Sequence, residues 1–253
     1  EPSDIRSGCA ALIGALTKDL ALKAGVAARE GDFAEILHSI RHLDLTASAD
    51  IENAVLQSFA PVTKIADEAC FIRILQICEV SFFAVSAIAD QAVSNSATNL
   101  CAALQDVGVF QRVATAATRL VMRFVTVDGF KAFTQKTGNI SAIESHNYAL
   151  CEAHLCEVTE QRLASLLFSK HPDVVKIIRS ERTLFHAIKS GQADRPVLDA
   201  LSQAQKELQS WKKIHLAAMV KTLGTESVDK NVVSYLRQFQ NTSEIAADKN
   251  IEN

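Results

Sequence analysis

The chain is poor in the residues that punctuate turns. Its 253 residues hold 4 Pro and 9 Gly, against averages of roughly 5% and 7% of residues. No glycine falls between Gly31 and Gly108, and Pro61 is the one proline there. That excludes an architecture of short strands joined by frequent turns, and nothing alternates with a strand period for long enough to argue for a sheet. Aromatic residues make up 6%, with one Trp and two Tyr, too few for exposed base-stacking platforms. The net charge of −3 lacks the basic excess of a general grip on nucleic acid. The most apolar stretch, Phe71 to Val93, is interrupted by Arg73, Glu79 and Asp90, so no unbroken apolar run approaches the ~20 residues of a membrane span. There is no Gly-x-Ser-x-Gly turn, no glycine-rich phosphate loop and no repeat of solenoid length. No cofactor is implied.

What remains is rich in Ala, Leu, Ile, Val, Gln, Lys and Glu, 48% hydrophobic and 22% charged, a globular composition. Much of it repeats with a helical period. The expected fold is all-α: a multi-helix bundle with long antiparallel helices around Phe71–Val93. It is read as one domain over 1–253, with a weak seam near 127–140 and a frayed polar tail at 242–253. A first helix runs to about Arg29. Asp32 followed by Glu35 opens a second over 33–44, and a third reaches about Ala60. Long helices are expected over 62–94 and, after a short piece ending at Gly108, over 109–126. Further helices are read at 130–136, 141–169, from Pro172 to Lys189, from Pro196 to Gly224, and at 227–240.

Six cysteines, an even number, fit an oxidising compartment. Cys70 and Cys78 stand about 12 Å apart along one helix, and Cys151 and Cys156 about 7.5 Å with opposed directions. Neither pair meets disulfide geometry. The expected disulfides therefore staple different helices, drawing also on Cys9 and Cys101. Sequons at Asn139 and Asn241 are candidate glycosylation sites. Together these features favour a secreted or surface-exposed glycoprotein; the alternative is a soluble intracellular protein whose six cysteines are buried free thiols packed as small hydrophobes.

Four sets of polar residues are candidate sites. Glu35, His38 and His42 share one helical stripe and could ligate a metal, although the stripe falls opposite the apolar face and reads as solvated. Arg73 and Glu79 lie in the polar sector of the central helix, as a pocket inside a bundle would require. Arg112, Arg119 and Arg123 recur along one edge of their helix and could clamp a carboxylate, a phosphate or an acidic partner. Lys170, Lys176, Arg179 and Arg182 would extend that positive area if their helices are neighbours. No catalytic constellation emerges. The leading expectation is a non-enzymatic interaction protein that binds a macromolecular, protein partner. A carrier of a small apolar ligand, suggested by 12 Phe, is the alternative, and an all-α enzyme with a dispersed Arg/Glu site the second.

Overall fold

A computed structural model describes residues 2–25, 30–41, 62–94, 99–137, 142–191 and 193–223. The described residues are predominantly helical, without a strand. We number the helices α1 (Pro2–Ala24), α2 (Ala34–Ile40, after a 3-10 turn at Glu30–Phe33), α3 (Ala66–Ser94), α4 (Leu100–Phe124) and α5 (Val127–Thr137). A 3-10 turn at Ala142–Glu144 precedes α6 (His146–Leu155), α7 (Glu160–Leu163), α8 (Leu166–Ser169), α9 (Pro172–Arg179), α10 (Leu184–Ser190) and α11 (Arg195–Leu223).

The centre is α3, packed against α1, α4 and α6, while α4 packs in addition on α2 and α11. Asp19 near the end of α1 reaches Arg73 near the start of α3, so those helices are antiparallel. Along α4 and α11 the pairs Arg112–Glu207, Thr118–Trp211 and Met122–Lys221 advance together, so this pair is parallel. The buried apolar residues form one continuous core. Within it Phe82 of α3, Tyr148 of α6 and Trp211 of α11 pack ring on ring, with centroids 4.9 to 5.4 Å apart. The Trp211 indole N–H donates to Thr118 Oγ1 of α4 at 2.9 Å. One aromatic knot thus ties four helices, each ring contributing about 2–3 kcal/mol of burial.

By length and composition α3 passes the test for a membrane-crossing helix, which the core helix of a soluble protein also passes. More than half of its most apolar stretch is buried inside the protein. Arg73, fully buried, donates from Nε to Asp19 Oδ2 at 2.6 Å and from Nη1 to Gln76 Oε1 at 2.6 Å.

Three boundaries depart from the sequence reading. Gly108 does not punctuate: α4 runs through it as one helix, because the packing of α4 against α3 and α11 outweighs the ~1 kcal/mol a helical glycine costs. The expected helix over 141–169 is broken into α6, α7 and α8. Ser145 caps α6 by accepting from the Tyr148 N–H at 3.0 Å, Cys156 turns extended, and Thr159 caps α7 by accepting from the Arg162 N–H at 3.2 Å. The expected helix from Pro172 to Lys189 divides at Glu181, whose φ of 55° is left-handed, and Thr183 then caps α10. Gly129 is required where it stands. The Asp67 carboxylate of α3 accepts from Thr126 N and Oγ1 at the start of α5, and a Cβ at Gly129 would lie 2.0 Å from Asp67 Oδ2. The helices expected near Ala60 and over 227–240 lie outside the described residues.

The inter-helix disulfides are a correction. All six cysteines are free, with no pair at disulfide distance. Each packs into its own surroundings instead: Cys78, for example, approaches Ala114 O and Thr118 Oγ1 on α4. Burial pushes Cys9 and Cys156 up to about 11 and Cys78 to about 12, and Cys151 higher still. These are unreactive thiols that fill space as small hydrophobes.

Candidate functional site

The charged candidates are largely occupied within the chain. Arg119 grips Glu35 of α2 with both carboxylate oxygens, at 2.6 and 2.8 Å. Arg123 meets Asp32 at 2.7 Å and Arg112 meets Glu207 of α11 at 3.5 Å. The arginine edge of α4 therefore lies along α2 and α11, where it meets acids from other helices that sequence spacing on α4 could not reveal. His38 is exposed, His42 lies outside the described residues, and no metal-holding group of His, Cys, Asp and Glu occurs among the described residues. Glu79 accepts from Ser145 Oγ at 3.0 Å and Asn147 Nδ2 at 3.1 Å, bracing the first turn of α6. Asn139 and Asn241 are outside the described residues. The phenylalanines pack on one another, as Phe71, Phe130 and Phe133 do with centroids 5.1 to 5.4 Å apart.

The sequence reading missed a buried ionic centre. Glu152 of α6, Arg162 of α7 and Lys212 of α11 are each nearly inaccessible. Arg162 donates from Nε to Glu152 Oε1 at 2.9 Å and from Nη2 to both carboxylate oxygens at 2.6 Å. Lys212 Nζ stands 3.3 Å from Oε1. Burial would raise the Glu152 carboxyl, but Arg162 and then Lys212 pull it down to about 2. The centre pins the short α7 to the bundle in place of the long helix expected there. The one signal in sequence was Glu152 flanked by Ala149, Leu150 and Cys151 on one side and Ala153 on the other.

From that centre outward the chain builds a surface groove. The Arg162 guanidinium sits over the buried Phe168 ring of α8, 5.3 Å from its centroid. The groove opens above Phe168, between α8 and α9, with a volume of about 590 Å³. Pro172 and Val175 line its apolar side, Lys176 and Arg179 its rim, and Ser169 and Ser180 complete the lining. α9 is amphipathic: Val174 and Ile178, four apart, are buried, while Lys176 and Arg179 point out and are exposed. Pro172 occupies its first turn, where a missing N–H costs nothing.

That helix is braced at both ends. His146 Nε2 meets Asp173 Oδ2 at 2.5 Å, and His171 Nε2 lies 3.1 Å from Glu144 O. The hydrogen bond from His146 holds the Asp173 carboxyl below its ordinary value. At the far end Glu181 N donates to Ile178 O at 2.9 Å and Arg182 N to Ile177 O at 3.3 Å, closing the helix sharply behind Ser180. The groove lining carries two cations and no carboxylate. Arg179 has only a loose, exposed approach to Glu160 at 3.7 Å. Comparison with known proteins gives no match: no protein-family model fits the sequence, and no curated protein or solved structure resembles it significantly.

Proposed function

We propose that this chain is a non-enzymatic interaction protein that binds a macromolecular partner through the face of α8 and α9. The observation that carries the reading is the groove over Phe168, an apolar trough of ligand-binding size rimmed by exposed cations. It differs from the other charged sites described above, whose groups are committed to one another: the α4 arginines to acids of α2, the 3-10 turn before it and α11, and Arg162 to Glu152. The rigid backing supports it as well, because a preorganised surface loses less entropy on binding. Secretion is part of the proposal on the strength of the Asn139 and Asn241 sequons alone, since the cysteines no longer favour it; glycan mass on those residues is its test.

A photo-cross-linking amino acid placed at Ser180, at the end of the groove, tests the interaction reading in extracts of the source cells. The expected result is a discrete protein adduct, identified by mass spectrometry, that is absent when the same group is placed at Lys206 on α11. Equal labelling from both positions, or none from Ser180, would refute it.

A further inference from the structure

We infer that the partner's contact segment is an acidic peptide: an aliphatic side chain seated in the α8–α9 groove, flanked by carboxylates that meet Lys176 and Arg179. This inference rests on the interaction reading above and names the chemistry of its partner. Three features of the groove select that occupant. The first is shape: the trough of about 590 Å³ is shallow and open along one side, so aliphatic side chains of an extended segment can be laid into it from the surface. Its apolar wall is Pro172 and Val175 over the closed surface of Phe168, which the Arg162 guanidinium backs from the core.

The second is charge. Both ionisable side chains in the lining are cations. Lys176 has no ion-pair partner among the described residues, and Arg179 has only the exposed Glu160 at 3.7 Å. Two nearby acids are turned to other tasks: Asp173 holds His146, and Glu144 holds Lys170 at 3.0 Å. The rim is thus open to external carboxylates, and Arg179 offers the planar fork that binds them with two parallel hydrogen bonds. The third is spacing. Lys176 and Arg179 are three residues apart on α9, roughly one helical turn or ~5 Å. Two carboxylates one helical turn apart, or two residues apart in an extended strand at ~6.6 Å, match that interval. The net charge of −3 argues against nucleic acid as the occupant.

The test begins with selection from a random dodecamer peptide display library on the full chain. The leading sequence is then measured by fluorescence anisotropy against the chain and its variants. The expected motif is Leu, Ile or Val between Asp or Glu residues. The double reversal Lys176→Glu with Arg179→Glu should weaken binding at least tenfold and steepen its loss with salt. Val175→Trp, which puts a bulky ring into the trough without altering charge, should weaken it as well, whereas Lys206→Glu on α11 should not. All four positions are at least partly exposed, so thermal melts should stay close to that of the parent chain. Selected peptides that lack acids, or acidic ones that the double reversal binds equally well, would overturn the groove assignment while leaving the interaction reading intact. A library that enriches nothing, together with a silent cross-linker at Ser180, would overturn both. Flotation with phosphatidylserine vesicles that is lost in the double reversal, with no peptide preference, would overturn the peptide assignment in favour of an anionic lipid surface.

Discussion

Replacing Glu152 by Gln removes one charge and leaves two buried cations facing each other. Arg162 and Lys212 are 3% and 2% exposed, so neither can recover solvation without opening the junction of α6, α7 and α11. Breaking a buried pair in this way costs about 3–5 kcal/mol. Titration should report the same coupling. Burial alone would raise the carboxyl, yet Arg162 and Lys212 hold it well below its ordinary value, so the ionised form is the one the fold stabilises. The sign is that of a depressed acid: the stabilisation is present above pH ~4.5 and is lost as pH falls toward ~2. Urea unfolding of the Glu152→Gln variant at pH 7 should show that loss, and the midpoint of thermal unfolding should drop by about 10 °C for a chain of this size. The acid-sensitive limb expected of the parent between pH 4.5 and 2 should be shallower in the variant, with Asp173 and Glu68, also held below their ordinary values, supplying what remains. A triple replacement by Leu at 152 and Met at 162 and 212 should recover most of the loss, because it removes all three charges together. A cost below about 1 kcal/mol for Glu152→Gln, or an unchanged acid limb, would refute the role assigned to the centre.

Three further outcomes follow from the packing. Gly129→Ala places a Cβ against Asp67 and should cost about 1–2 kcal/mol in chemical denaturation by undoing the cap on α5; the same change on an Asp67→Ala background should cost far less. Burial holds the His215 imidazole down at about 4, so its stabilisation is complete above pH ~6.5 and is lost as pH falls toward 4. The parent should lose about 2 kcal/mol between pH 7 and 5, and His215→Phe should abolish that slope. Titration of the unreduced, unfolded chain with a thiol reagent should find six free thiols, while in the native state Cys101, the one cysteine not buried, should react first.

The all-α class was legible because helix-forming residues fill the long glycine-free interval and the apolar positions of α3 and α4 recur with a helical period. The end of α3 and the start of α11 were legible from local polar residues: Ser94 opens a polar cluster, and Asp194 caps α11 by accepting from Val197 N. The breaks at Cys156–Thr159 and at Glu181 were not, because neither contains Gly or Pro. They are imposed by tertiary partners, the Glu152 centre for α7 and the buried Val174 and Ile178 for α9, whose helix closes just before Glu181. The arginine edge of α4 was visible, but its acids come from Glu35, Asp32 and Glu207, distant in sequence. The cations Lys176 and Arg179 were read as a basic set, yet only the fold places them over Phe168 and beside α6 rather than next to the α4 row.

Amide hydrogen exchange of the chain with and without its selected peptide tests the central claim most directly. Protection confined to Phe168–Ser180, with Arg112–Arg123 of α4 unchanged, is the predicted pattern. Protection along the α4 arginines with none over α8 and α9 would contradict it.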